Sequence, residues 1–253
     1  MTGIVVLHPG AMGAAVGETL REAGHDVGWM AAGRSPATRA RAEAAGLSDR
    51  AYVAGAEIVI SLVPPAAALA TAHAVVGFSG LFVDANAISP ERAVEVAAVV
   101  RDGGATYVDA SVVGPPPVAT GTTRLYLSGD AASLIADVFA GTRLEPVVVS
   151  GGEFGASAVK MAYASWTKIS AALVLAADHT AQAYGVAEAL YAEWGRSVPD
   201  ALPRLERARV AAAEKGWRWT DEMRQIAATF ASAGESAGFG EAAAAVYERY
   251  PRP

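Results

Sequence analysis

The sequence predicts an α/β fold in which a parallel, doubly wound sheet is followed by an all-α C-terminal domain with a long helix. Up to about residue 150, short runs of β-branched residues alternate with Ala-rich amphipathic stretches, which is the pattern of consecutive β-α-β units. Residues 156–194 then contain no proline and a single glycine, Gly185, and no strand pattern follows them. We therefore expect domains at 1–150 and 151–253.

The predicted elements follow one another regularly along the chain. Strands are predicted at 4–7, 26–30, 58–62, 81–84, 106–109, 125–128 and 146–149, with helices between them at 12–23, 36–45, 66–76, 90–101 and 131–139. Two of these helices begin with a serine followed by proline, Ser35-Pro36 and Ser89-Pro90, a favoured N-cap and first helical residue. Further helices are predicted in the second domain at 199–215, 220–233 and 241–250.

The composition argues against several classes of protein. The 253 residues carry 20 Lys+Arg against 26 Asp+Glu, a net charge of −6 that does not suit a nucleic-acid or anionic-membrane binder. There is no cysteine, which removes disulfides and thiol nucleophiles and fits a reducing cytoplasm, and four histidines leave little for a metal site. We expect no membrane span in the uncharged stretch 58–83, because prolines and glycines interrupt it, and no signal peptide, because the N-terminus lacks a basic region.

The turn after the first predicted strand has the features of a dinucleotide-binding loop. Gly10-Ala11-Met12-Gly13 leads from that strand into a helix. Gly10 would let the backbone approach a pyrophosphate, Gly13 would let the helix pack closely on the strand, and the helix N-terminus would supply free N–H groups. His8 stands where the first glycine of G-x-G-x-x-G is expected. Such glycines also serve ordinary tight turns, so the nucleotide interpretation depends on their place in the first β-α unit.

The segment after the second predicted strand favours NADP(H) over NAD(H). Residues 30–35 contain no Asp or Glu that could accept a hydrogen bond from a free ribose 2′-hydroxyl. Arg34 could bind a 2′-phosphate through its guanidinium group, and Ser35 could donate its hydroxyl. The alternative is a solvated arginine beside a helix cap.

These motifs resemble those of the β-hydroxyacid dehydrogenases, a family related to 6-phosphogluconate dehydrogenase and to the imine reductases. Ala23-Gly24-His25, before the second strand, is also similar to the family's fingerprint. The resemblance implies a Rossmann-type fold with a nicotinamide cofactor. It also implies that Leu62, Val63 and Pro64 line the path of the cofactor, and that Asn86 faces the nicotinamide side.

The resemblance extends to a substrate-carboxylate loop at 109–114. Ser111 and Asn86 are therefore candidate catalytic partners of the reacting or carboxylate oxygen, and Val113 and Gly114 are candidate substrate contacts. Val113 replaces the family's serine, and the three prolines that follow Gly114 have no N–H to donate. The hydrogen bonding that usually binds the substrate anion is therefore weakened. We expect a substrate that is less anionic, bulkier or held differently.

The segment 152–164 resembles the family segment that carries the catalytic lysine, which implies that Lys160 is the general acid/base. One residue is missing before this lysine and Tyr163-Ala164 replaces an asparagine pair, but the pattern from 160 to 168 resembles a subgroup with a short helical C-terminal domain. At helical spacing Lys160 shares one side of an apolar helix with Tyr163, Thr167 and Lys168. Tyr163 and Thr167 are thus candidate substrate contacts, while the role of Lys168 stays open. The alternative is that the lysines cover an interface and Tyr163 packs in the core.

The sequence therefore predicts an NADP(H)-dependent oxidoreductase that acts on a small β-hydroxy acid or its carbonyl. An imine (C=N) reductase is the nearest alternative, favoured by the weakened carboxylate loop. A non-catalytic dinucleotide-binding protein is a second alternative, favoured by His8, Val113 and the lost asparagine pair. The apolar long helix predicts a homodimer formed through the helical domain.

Overall fold

Eight strands form one sheet, and the computed structural model describes residues 1–53 and 55–252. The strands are β1 Gly3–Val6, β2 Asp26–Trp29, β3 Ser48–Asp49, β4 Ile58–Ser61, β5 Leu81–Asp84, β6 Thr106–Val113, β7 Thr123–Ser128 and β8 Leu144–Val148. Their order is β3-β2-β1-β4-β5-β6-β7-β8, and every neighbouring pair is parallel except β6 with β7. The predicted fold class is thus confirmed.

Helices and buried apolar clusters cover both faces of this sheet. The helices are α1 Ala11–Glu22, α2 Pro36–Ala44, α3 Ala68–His73, α4 Pro90–Asp102 and α5 Ala132–Phe139. In β1, Ile4 and Val6 belong to one cluster, which includes residues of α1 and α5, whereas Val5 belongs to the other, which includes residues of α3 and α4. This alternation is what a strand buried on both faces requires, and it holds the parallel strands in register.

Two strands differ from those that the sequence predicts. Ser48–Asp49 forms β3 at the edge of the sheet beside β2, and it is too short to show a periodic pattern. β6 continues to Val113 instead of ending at residue 109, because residues 109–113 pair antiparallel with β7. Most of the segment that the resemblance suggests as a substrate loop is therefore a buried strand.

The chain divides into two compact units, Met1–Lys160 and Met161–Pro253, and Pro253 lies outside the described residues. The division falls within α6 Gly155–Ala164, ten residues beyond the predicted boundary at 150. The second unit continues with a π-helical turn at Ser165–Ile169 and with the helices α7 Ser170–Ala183, α8 Ala187–Ser197, α9 Ala201–Ser232 and α10 Gly238–Tyr247. Within the described residues, no helix has the length and apolar character needed to cross a membrane.

The long helix of the second unit is α9, with 32 residues, whereas residues 156–194 are divided among several helices. Gly185, with a φ of +68°, separates α7 from α8. The two helices predicted at 199–215 and 220–233 are one, because Gly216 lies within α9 instead of ending a helix. A Cβ at Gly216 would lie 2.8 Å from the Cβ of Tyr250, so this glycine allows a close contact between α9 and the C-terminal residues.

Candidate functional site

The candidate site lies where the strand order reverses, between β1 and β4. In open α/β sheets, ligands bind in the crevice outside the carboxyl ends of the strands at this point. β1, β2, β4 and β5 are parallel, so the turns that follow them lie at the same edge of the sheet. Those turns carry the residues that the sequence assigns to cofactor binding.

The turn between β1 and α1 leaves open space beside Gly10, whereas α1 packs closely against the turn at Gly13. Gly10 is the N-cap of α1, with φ −64° and ψ −169°, and no atom lies within 4 Å of a Cβ built on it. A Cβ on Gly13, by contrast, would lie 2.8 Å from the carbonyl oxygen of His8. The helix begins at Ala11, so the backbone N–H groups of Ala11 and Met12 have no acceptor within the helix. This arrangement fits the pyrophosphate of a dinucleotide.

The turn between β2 and α2 holds Arg34 and Ser35. Arg34 is half-buried, its Nε atom is fully buried without a hydrogen-bond partner among the described residues, and burial lowers the pKa of its guanidinium group. The Oγ atom of Ser35 accepts a hydrogen bond from the Thr38 amide at 3.3 Å and so caps α2. Arg34 thus has an unused donor, whereas the Ser35 hydroxyl already has a structural role.

Three residues beside this turn have no role in the sequence interpretation. Arg39 donates to the Ala31 carbonyl at 2.7 Å, and Arg41 donates to the Pro9 carbonyl at 3.4 Å. The Asp49 carboxylate accepts from the Ala31 amide at 3.2 Å. The two arginines could have been found from the cationic spacing of α2, but Asp49 could not, because it approaches β2 only through the unpredicted strand β3.

Asn86 connects the ends of β4 and β5 in a buried network. Its Oδ1 accepts from the Val63 amide at 2.6 Å, while its Nδ2 donates to Asp84 at 2.6 Å and to the Ser61 hydroxyl at 3.0 Å. The side chain is only 2% exposed, and both amide hydrogens are used within the protein. Asn86 therefore fixes the turn formed by Leu62, Val63 and Pro64, of which Val63 is buried and Pro64 is exposed.

Two carboxyl groups lie side by side in the sheet, since Asp84 of β5 is in register with Asp109 of β6. Burial and the charge of Asp109 raise the pKa of Asp84 to about 7, although hydrogen bonds from Asn86 and Tyr107 act in the opposite direction. Burial raises the pKa of Asp109 to about 6, opposed by hydrogen bonds from Ser157 and Ser128. Both carboxyls therefore retain protons at a higher pH than they would in the unfolded chain.

We expect the contribution of Asp84 to the free energy of unfolding to fall as the pH rises from about 4 to about 7. Over this range the folded protein keeps a proton on Asp84 that the unfolded chain, with a pKa of 3.8, has released. Each extra bound proton changes the free energy of unfolding by up to about 1.4 kcal/mol per pH unit. Asp84→Asn should reduce this dependence and be more stable than the wild type above pH 7, as measured by urea unfolding across the pH range.

The exposed Asp137→Asn variant is the matched control, and its stability should follow that of the wild type. An Asp84→Asn profile parallel to the wild-type profile would show that folding does not raise the pKa of Asp84.

The start of α6 is held in place by hydrogen bonds to Asp109, Ser128 and Ser111. Asp109 accepts from the amide and the hydroxyl of Ser157 at 2.8 and 2.6 Å, and the Ser128 hydroxyl accepts from the Ala156 amide at 2.9 Å. The Ser111 hydroxyl donates to the Ala156 carbonyl at 2.6 Å and is fully buried. These bonds satisfy two of the unpaired amides at the helix N-terminus.

Lys160, one turn further along α6, is partly buried beside β6. Its Nζ atom donates to the Val112 carbonyl at 2.8 Å. The anchored start of α6 therefore holds the ammonium group against the carbonyl oxygen of Val112, near the end of β6.

Val113 and Gly114 end β6. Val113 is 3% exposed and belongs to the strand, so its side chain is part of the packed sheet. Gly114 has a φ of +126°, and a Cβ there would lie 2.4 Å from the Thr122 carbonyl oxygen, so a larger residue is not accepted at this position. Gly114 is exposed, unlike Val113.

Tyr163, Thr167 and Lys168 belong to the second unit. Tyr163 is 50% exposed, and the Thr167 hydroxyl donates to its carbonyl oxygen at 3.2 Å. Lys168 forms an ion pair with the buried Glu222 and lies 5.4 Å from the ring centre of Trp219. Thr167 and Lys168 lie in the π-helical turn, so the simple helical spacing assumed for these residues does not hold throughout. The substrate contacts predicted for Tyr163 and Thr167 stay predictions.

Comparison with known proteins identifies two regions of the chain. The NAD binding domain of 6-phosphogluconate dehydrogenase matches residues 4–139, and a domain of unknown function, DUF1932, matches residues 181–250. No curated protein shows significant sequence similarity to the chain.

Solved structures of similar fold cover almost the whole chain. A conserved protein of unknown function, described as structurally similar to 3-hydroxyacid dehydrogenases, is 25% identical, with a TM-score of 0.72 and coverage of 98% of this chain and 96% of that one. Mycobacterium tuberculosis 3-hydroxyisobutyrate dehydrogenase with L-serine is 22% identical, with a TM-score of 0.73 and coverage of 99% and 94%. The reductive aminase of Aspergillus terreus, in complex with NADPH and ethyl levulinate, is 19% identical, with a TM-score of 0.61 and coverage of 98% and 93%.

Proposed function

Because this chain belongs to the family that carries the NAD binding domain of 6-phosphogluconate dehydrogenase, we propose that it is an NADP(H)-dependent oxidoreductase acting on a small β-hydroxy acid or its carbonyl. The observation that carries this proposal is the crevice itself. An open glycine turn at Gly10 and an Arg34 nitrogen without a partner in the described part of the chain follow neighbouring strands, and the Lys160 ammonium lies beside β6 of the same sheet.

In the proposed reaction, the bound nicotinamide supplies or accepts the hydride. In the direction of reduction, Lys160 donates a proton from its ammonium group to the carbonyl oxygen as the carbon gains the hydride, and water returns a proton to the lysine. Its hydrogen bond to the Val112 carbonyl supports this role by restraining the Nζ atom. Asn86 and Ser111 support it indirectly, because Asn86 fixes the turn after β4 and Ser111 fixes α6.

The preference for NADP(H) follows from the surroundings of the β2–α2 turn. A 2′-phosphate would accept a hydrogen bond from the buried Nε of Arg34, for which residues 1–53 and 55–252 provide no partner. An adenosine without this phosphate would leave the atom unsatisfied. Ser35 contributes by capping α2, whose arginines flank the turn.

The affinity for each coenzyme tests this proposal. We expect the wild type to bind NADPH at least about tenfold more tightly than NADH, and Arg34→Ala to abolish that difference by weakening NADPH alone. Titration of coenzyme fluorescence measures both values. Arg224→Ala, at an exposed arginine of α9, is the matched control and should leave the preference intact. Equal affinities for both coenzymes in the wild type would contradict the assignment.

An imine reductase is a second candidate, and the end of β6 favours it. A buried valine at 113 and the prolines after Gly114 offer little to hold a substrate carboxylate. A neutral cyclic imine would need no carboxylate-binding groups. Turnover of cyclic imines without turnover of any hydroxy acid would favour this function over the first.

We propose that the second unit forms a homodimer with a second copy of the chain. An apolar groove of about 640 Å³ in this unit is lined by exposed Trp166, Leu173 and Phe239. Such side chains, 59–70% exposed, are characteristic of an interface. Sedimentation velocity tests this, because a monomer at micromolar concentration would contradict it.

The lack of cysteine supports a cytoplasmic location.

A further inference from the structure

His8 and Arg34 each keep a buried nitrogen atom without a hydrogen-bond partner among the described residues. These atoms are Nδ1 of the histidine and Nε of the arginine. Burial, together with the positive charge of Arg34, lowers the pKa of His8 to about 4, so the imidazole is neutral near pH 7. Buried polar atoms are rarely left unpaired, so these two nitrogens indicate that the neighbouring turns bind a polar partner.

The two residues lie in the turns that follow two paired strands. His8 follows β1 and Arg34 follows β2, and the two strands are parallel, with Val6 in register with Trp29. The Arg41 side chain of α2 donates to the Pro9 carbonyl, so α2 is packed against the turn that contains His8. In a dinucleotide-binding fold, the turn after the second strand lies beside the adenosine ribose, and the turn after β1 is its neighbour at the same edge of the sheet.

We propose that His8 binds the adenosine 2′-phosphate of NADP(H) together with Arg34, and that it takes up a proton when the phosphate binds. His8 is thus a specificity-determining residue, at the position where the dinucleotide motif has its first glycine. The inference rests on the proposed NADP(H) dependence.

Burial, and then the charge of Arg34 in the β2–α2 turn, explain why His8 is neutral before the ligand binds. The other cationic side chains beside the two turns are Arg39 and Arg41 of α2, which donate to the Ala31 and Pro9 carbonyls. Asp49, from β3, is bound to the Ala31 amide, and the first turn of α1 has no acidic residue. A doubly negative phosphate reverses this balance and stabilises the imidazolium, whose two N–H groups are both donors.

The phosphate also titrates, with a pKa of about 6, and its own protonation weakens binding as the pH falls. A variant that keeps a hydrogen-bonding side chain but cannot be protonated separates the two effects. His8→Gln provides this baseline, and His8→Gly, the residue of the usual motif, provides a second one. His73→Gln, at an exposed histidine of α3, is the matched control.

Isothermal titration calorimetry in two buffers with different ionisation enthalpies counts the protons taken up with each ligand. The ligands are NADP⁺, NAD⁺ and 2′-AMP. The titrations are carried out between about pH 5.5 and about pH 8, the range in which a phosphate-bound imidazole would titrate. We expect proton uptake with NADP⁺ and 2′-AMP to be greater in the wild type and His73→Gln than in His8→Gln or His8→Gly. At about pH 6, His8→Gln should weaken NADP⁺ binding about fivefold or more and leave NAD⁺ binding unchanged.

If proton uptake were equal in the wild type and both His8 variants while NADP⁺ was still preferred through Arg34, the proposed role of His8 would be wrong. The proposed NADP(H) preference would then still stand. If the wild type bound neither NADP⁺ nor NAD⁺, both the inference and the proposed function would fail.

Discussion

Replacement of Lys160 by methionine is expected to lower kcat by about 10²- to 10⁴-fold while NADPH affinity stays within about threefold of the wild type. Methionine has a similar length and removes only the ammonium group, which is the proposed proton donor. The bond to the Val112 carbonyl is also lost, so a decrease in stability of about 1 kcal/mol is expected. Steady-state kinetics on an accepted substrate, combined with coenzyme titration, measures both effects.

Lys215→Met is the matched control, because Lys215 is an exposed lysine of α9. It should retain wild-type kcat and NADPH affinity. The pH dependence of kcat in the wild type should show a titrating group that is absent from the residual activity of Lys160→Met. If Lys160→Met retained kcat within about threefold of the wild type, this lysine would not be the general acid/base.

Gly10→Glu should remove coenzyme binding without unfolding the protein. A side chain at Gly10 points into open space, and its φ of −64° suits any residue, so the free energy of unfolding should change by less than about 0.5 kcal/mol. The added carboxylate would occupy the proposed pyrophosphate position and repel its charge. We expect the affinity for both NADPH and NADH to fall about 100-fold or more, as measured by fluorescence titration.

Gly13→Ala gives the contrasting result expected of a glycine needed for packing. The new methyl group would lie 2.8 Å from the His8 carbonyl oxygen, so α1 must shift and stability should fall by about 1–3 kcal/mol. Urea unfolding of both variants distinguishes the two glycines. Unchanged coenzyme affinity in a folded Gly10→Glu variant would mean that the pyrophosphate does not bind at this turn.

Much of the fold could be predicted from the sequence because its signals are local. Alternating β-branched and Ala-rich segments gave six of the seven predicted strands close to their observed positions, and the serine-proline pairs cap α2 and α4 as expected. The misplaced features depend on distant contacts. β6 is extended by pairing with β7, and Gly216 remains helical because it packs against Tyr250.

The candidate site could be predicted only where a single segment defines it. The glycine turn and Arg34 follow from short motifs, and their geometry agrees with the nucleotide interpretation. The buried pair of Asp84 and Asp109 depends on the register of two strands, which no local pattern specifies. For the same reason, the sequence could not predict that Asn86 uses both of its amide hydrogens within the protein.

The most direct test of catalysis by this protein is the transfer of deuterium from NADPH labelled at its transferable position, followed by mass spectrometry of products from a panel of β-carbonyl acids and cyclic imines. We expect label on the β-carbon of a hydroxy acid, and little label with Lys160→Met. Label found only in amines would identify an imine reductase instead. No label in any product, despite tight NADPH binding, would contradict catalysis by this site.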